Sequence, residues 1–256
     1  MPAVNGGGVN GGAVNGGGVS GGGVILPDGR AIERPAFLLD LDGTLIDLAA
    51  TPDAVIVPPA LPGLLRRLRA RHDDAVAIIT GRPIEAVDAL LGDAPFAVAG
   101  EHGAAIRTAP GKAIARGLLP VLPEAAIARA AEVVARFPGA LLERKAHGMA
   151  LHYRQAPEAE ATLRDAAAAM VAAWPEFSLL RGSMTWEVRP AGVHKGVAVR
   201  ALMQSPPFAG RVPVFIGDDV TDEDAIAAAA ALGGAGLRVA EAFGTPADVR
   251  AWLQGA

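Results

Sequence analysis

Four short apolar runs, at 36–40, 75–79, 96–99 and 212–216, constrain this 256-residue chain more than any other feature. Each is too short for a buried helix and continuous enough for a strand covered on both faces. Between them lie segments of helical period. Leu61, Leu64, Leu65 and Leu68 recur on one face behind a run of prolines that suits a helix start, with arginines opposite. Residues 84–91 and the alanine-rich 221–231 read the same way, and 236–239 with 246–253 add a last strand and helix. Strands alternating with helices imply an α/β fold built on a parallel sheet.

The middle of the chain breaks this rhythm. Helix is expected over 124–136 and 157–173, and paired strands over 140–144 with 149–154 and 177–181 with 185–189. That pattern predicts a small α+β domain at 110–189, inserted into a catalytic core formed by 30–109 and 190–256. Residues 1–23 stand apart: V-N-G-G-G, V-N-G-G-A, V-N-G-G-G and V-S-G-G-G follow one another without a charge. Glycine at that density resists ordering and isolated valines build no core, so a flexible tail is expected.

Composition removes several classes of function. With 51% hydrophobic residues a large core is available, although 4% aromatics leave alanine, valine and leucine to fill it. A net charge of −4 with scattered basic residues gives no footprint for nucleic acid or membrane. No apolar run reaches the length of a bilayer span, and the first residues carry neither the basic nor the apolar part of a secretory signal. The absence of cysteine excludes disulfides and thiolate metal sites. A cytoplasmic protein is expected; the oligomeric state leaves no trace in the sequence.

The chemistry is expected where the strands end. Ligands of open α/β sheets bind beyond the carboxyl ends of the strands. There stand Asp40 and Asp42, then Thr80 and Arg82, then Asp218, Asp219 and Asp222, with Lys195 opening a nearby helix. Carboxylates so clustered repel one another unless a cation lies among them, and an all-oxygen set suits Mg²⁺. An ionised Asp40 is then a nucleophile, with Asp42 placed to exchange protons. Lys195 and Thr80 suit the oxygens of a transferring phosphoryl group. Glu143 and Lys145, two apart on a predicted strand, share one face that Arg154 on the next strand can join. Charged groups of this kind suit sugar hydroxyls.

D-L-D-G-T at 40–44, T-G-R at 80–82, Lys195 and G-D-D-V-T-D at 217–222 resemble the four motifs of the haloacid dehalogenase superfamily of phosphatases. The resemblance implies a Rossmann-like core with an inserted cap and an aspartyl-phosphate formed on Asp40. It also implies Asp42 as acid and base, with its backbone carbonyl on Mg²⁺. Asp40 and Asp218 join it as metal ligands, and Asp219 and Asp222 support them. Together with G-E-H-G at 100–103, E-R-K at 143–145, H-Y-R at 152–154 and W-E-V-R-P at 186–190, the chain is similar to the trehalose-6-phosphate phosphatases. That likeness implies hydrolysis of trehalose 6-phosphate in trehalose biosynthesis, a sugar phosphate as partner, and a sugar grip at Glu143, Lys145, Arg154 and Glu187. It further places Gly43, Gly81, Arg82, Glu101 and His102 around the substrate. A phosphatase of sucrose phosphate, a phosphomannomutase-like transferase and a silent carbohydrate-binding protein share this core and stay open.

Overall fold

The computed structural model describes residues 22–256. The repeat expected to form a tail thus lies outside the described residues, except for its last two positions. The chain runs β1 (Val24–Ile25), β2 (Ala31–Ile32), β3 (Pro35–Leu39), α1 (Leu61–Arg71), β4 (Val76–Ile79), α2 (Ile84–Leu91), β5 (Ala97–Gly100), β6 (Ala105–Arg107) and β7 (Ala115–Arg116). Next come α3 (Glu124–Val134), β8 (Leu141–Arg144), β9 (Met149–His152), α4 (Glu160–Ala173), β10 (Phe177–Gly182) and β11 (Thr185–Pro190). The remainder is α5 (Lys195–Met203), β12 (Val212–Gly217), α6 (Glu223–Ala231), β13 (Ala235–Arg238), α7 (Val239–Ala242) and α8 (Pro246–Gly255).

Seven strands form the large sheet, in the order β13-β12-β3-β4-β5-β6-β7. The first five are parallel, and β6 and β7 add an antiparallel edge. Phe37 and Leu39 of β3 turn to one buried cluster, and Ala36 and Leu38 to another, as a strand covered on both faces requires. Leu64, Leu65 and Leu68 seal one face from α1 and are at most 2% exposed. Burial of each such side chain contributes roughly 1.5–3 kcal/mol.

Two boundaries differ from expectation. Ala115–Arg116 pairs with β6 at the edge of the large sheet, although the inserted unit was expected to begin at 110. Val24 and Leu26, before the expected core boundary at 30, are buried in its apolar cluster. Both segments are too short to show a period, and only their tertiary pairing defines them.

The second sheet has four strands in the order β10-β11-β9-β8, all antiparallel. Met149, Leu151 and Val188 point toward α3 and α4 and share a separate buried cluster with Leu163, Ala167 and Met170. The alternation of period two leaves Glu143, Ala150, His152 and Glu187 on the opposite face, which looks down on the carboxyl ends of the large sheet.

Candidate active site

The parallel strands deliver their polar ends to one edge. Asp40 follows β3, Thr80 follows β4, Glu101 and His102 follow β5, and Asp218 follows β12. Lys195 starts α5 and is 3% exposed; its Nζ donates to Asp40 Oδ1 and to Asp222 Oδ1, each at 2.6 Å. Asp222 Oδ2 accepts the backbone N–H groups of Asp218 and Asp219, both at 3.0 Å. Asp222 is therefore fully engaged by protein and holds the loop that carries Asp218. Gly43 has φ +78°, and a Cβ there would collide with the Asp218 carboxylate.

Around this centre the other candidates take distinct positions. Arg82 grips Asp42 through two hydrogen bonds of 2.6 and 2.7 Å and also donates to the Pro52 carbonyl. The Thr80 hydroxyl accepts the Arg82 N–H at 3.2 Å. The four-stranded sheet reaches the large one at three places. Lys145 Nζ donates to the Gly81 carbonyl at 3.2 Å, His102 Nε2 meets Glu187 Oε2 at 2.9 Å, and Asp219 Oδ2 accepts the Ser183 N–H at 3.0 Å. Glu187 completes the seam by accepting from Lys145 at 2.8 Å. Consecutive positive φ values at Glu101 (49°) and His102 (56°), neither a glycine, aim the imidazole at that seam. Such conformations cost on the order of 1–3 kcal/mol each and collect at functional sites.

Between the two sheets lies a cavity of about 600 Å³. Asp40, Asp42, Thr80, Arg82 and Lys195 line its floor, while Glu143, Lys145, Arg154, His152 and Glu187 line its ceiling. Gly81, His102, Asp218 and Asp219 also reach it. Glu101 does not: it is 6% exposed and sits behind Lys145, in a small separate hollow. Arg154 donates to the Ser183 carbonyl and hydroxyl, at 3.3 and 3.2 Å, and so braces the β10–β11 turn.

The trehalose-phosphatase family model matches residues 38–239, which contain every residue placed above. The chain belongs to the trehalose-phosphatase family. Its relatives include trehalose-6-phosphate phosphatase of Escherichia coli (strain K12), 40% identical over 217 residues, covering 85% of this chain and 80% of the relative. A probable trehalose-phosphate phosphatase of Sinorhizobium fredii is 41% identical over 205 residues, covering 80% and 77%. Among solved structures, the C-terminal domain of Candida albicans trehalose-6-phosphate phosphatase superposes with a TM-score of 0.74. At 22% identity it covers 87% of this chain and 91% of that one, and it supports the fold.

In this trehalose-phosphatase, one ammonium faces three carboxylates, those of Asp40, Asp218 and Asp222. Burial pushes the Asp40 carboxyl well above its usual value; Lys195 opposes this, and Asp222 and Asp218 add to it. Burial and then Asp222 raise Asp218 to about 6. Burial alone would lower Lys195, but Asp40 and Asp222 outweigh it and hold the ammonium above its ordinary range. A cation among the carboxylates relieves the excess negative charge, and one oxygen from each of the three lies within 4.8 Å of the others. The donor set is all oxygen, so the residues fit a hard divalent cation.

Sequence reasoning passed over Thr44, which is fully buried with its hydroxyl 3.3 Å from Asp40 Oδ2 and 3.4 Å from Asp218 Oδ1. The D-x-D-G-T motif contains it and was the available signal. It also passed over Ser183 and the cavity-lining segment around Leu48, Thr51 and Pro52, which no motif marks.

Proposed function

We propose that the chain hydrolyses trehalose 6-phosphate to trehalose and phosphate, as a Mg²⁺-dependent enzyme of the cytoplasm. The observation that carries this reading is the cavity, which sets a phosphoryl-transfer floor against a hydroxyl-reading ceiling. Its volume falls within the roughly 300–1,000 Å³ of small-molecule sites. The names of the 40%- and 41%-identical relatives support the substrate. None of the described helices is long and apolar enough to cross a membrane.

Asp40 and Asp218, with the Asp42 carbonyl, would hold Mg²⁺, which would neutralise the developing phosphoryl charge and keep Asp40 ionised. Asp40 attacks phosphorus, and Lys195 and Thr80 steady the phosphoryl oxygens. Asp42 gives a proton to the departing sugar oxygen and later takes one from the water that opens the aspartyl-phosphate. For that exchange the Asp42–Arg82 pair has to open, so release of Asp42 is part of the cycle. Asp222 holds the Asp218 loop, and Gly43 leaves room for it.

The unit from Glu124 to Pro190 acts as a cap over the core and excludes water during transfer. Its ceiling residues Glu143, Lys145, Arg154 and Glu187 grip the sugar together with Gly81 and His102 at the seam. The test is phosphate release from trehalose 6-phosphate, with and without Mg²⁺, beside sucrose and glucose phosphates. Release only with Mg²⁺ and fastest from trehalose 6-phosphate is expected; preference for another sugar would overturn the substrate.

A further inference from the structure

The ceiling contains a second acid–imidazole pair, whose imidazole has no role assigned so far. His152 Nε2 lies 2.8 Å from Glu143 Oε2, across adjacent antiparallel strands. The register sets His152 opposite Leu141 and Thr185, and Glu143 opposite Ala150, so the two meet on the diagonal. Both side chains line the large cavity and are partly open to it, at 23% and 31% exposure. Glu143 Oε1 has no hydrogen-bond partner among the described residues, whereas both oxygens of Glu187 are taken. Ala150, between the two glutamates in the row, keeps the face low enough for a ligand to reach them.

We infer that His152 is a specificity-determining positioning residue, which holds Glu143 so that its free oxygen accepts a hydroxyl of the sugar. A carboxylate on a flexible stem otherwise samples several rotamers, and fixing it in advance removes an entropic cost of binding. Burial would raise the Glu143 carboxyl, but the His152 hydrogen bond and then Lys145 outweigh it and keep it an acceptor. The phosphoryl group, at the floor, gains nothing from this pair. The inference rests on the sugar-phosphate reading above and specifies which groups deliver its selectivity.

The test is steady-state kinetics on the full chain with Mg²⁺, comparing His152→Ala and His152→Gln with the unaltered protein. Substrates are the best sugar phosphate of a panel containing trehalose 6-phosphate, and a small aryl phosphate. The expected result for His152→Ala is a rise of about tenfold in KM for the sugar phosphate, with kcat and aryl phosphate hydrolysis within about twofold. His152→Gln, whose amide can still donate to Glu143, should restore most of the loss. Equal losses on both substrates, an unchanged KM, or no rescue by glutamine would each overturn the inference. The unaltered protein's preference within the panel judges the substrate reading separately, because the His152 ratio is read on whichever sugar phosphate it prefers.

Discussion

The His102–Glu187 and His152–Glu143 pairs share a chemistry and almost a length, 2.9 and 2.8 Å, but stand in opposite surroundings. The first joins the cap sheet to the core and is about 6–7% exposed, with Lys145 at its back. Burial would raise Glu187, yet His102 and Lys145 hold it below the usual carboxylate range, while burial, opposed by Glu187, lowers the His102 imidazole. The second pair lies wholly within the cap sheet, faces the cavity and keeps one oxygen free. A saturated buried pair, besides lining the sugar site, ties the two sheets together, because opening it strands a charge in low dielectric. A half-open pair serves recognition, because its unmet capacity is available to a ligand.

Asp40→Asn sets the scale for testing that contrast, since it removes the nucleophile at nearly constant shape. Phosphate release from sugar and aryl phosphates should fall below detection while the circular dichroism melt stays close to that of the unaltered protein. Residual turnover of either would show that the floor beneath both pairs works by other groups. Glu187→Ala is expected to cost about 3–5 kcal/mol of stability, because it leaves the Lys145 ammonium buried without its main partner. Calorimetry should then show a melting temperature lower by several degrees, with both substrates impaired.

Glu143→Ala should leave the melt nearly unchanged and lower kcat/KM for trehalose 6-phosphate about ten- to a hundredfold, from the loss of a charged hydrogen bond. Aryl phosphate should be almost indifferent. If both substrates suffered alike, the open pair would belong to closure and the contrast would collapse. The smallest effect expected concerns pH. Because burial and then Asp222 raise Asp218 to about 6, and burial raises Asp40 as well, protons compete increasingly with a divalent cation as the pH falls through about 6. The half-saturating Mg²⁺ concentration should climb by up to about tenfold per unit of pH below about 6. Measured with each substrate in turn, the climb should be the same, since the carboxylates that would hold the metal lie below both pairs.

The sequence disclosed best what depends on a few neighbours. The apolar runs of β3, β4 and β12 marked themselves, and the polar residues following them could only lie at the carboxyl edge of a parallel sheet. Helices α1 and α2 showed their period. The β1–β2 hairpin and the β6–β7 edge were invisible because they have two or three residues per strand and draw their order from the sheet. In the site, Asp40, Asp42, Thr80, Lys195 and Asp218 were legible through motif spacing. The partnership of Arg82 with Asp42 was not, since it joins two loops 40 residues apart. Nor was that of His152 with Glu143, which exists only once the strand register is set.

The bare position at Gly43 carries a consequence for how this protein tolerates change. Its missing side chain is the space into which the Asp218 carboxylate fits, although the two are far apart in the chain. Any residue larger than glycine there would push the acidic loop outward while leaving every reacting atom chemically intact. What can stand at this position is therefore coupled to where the Asp218 carboxylate sits.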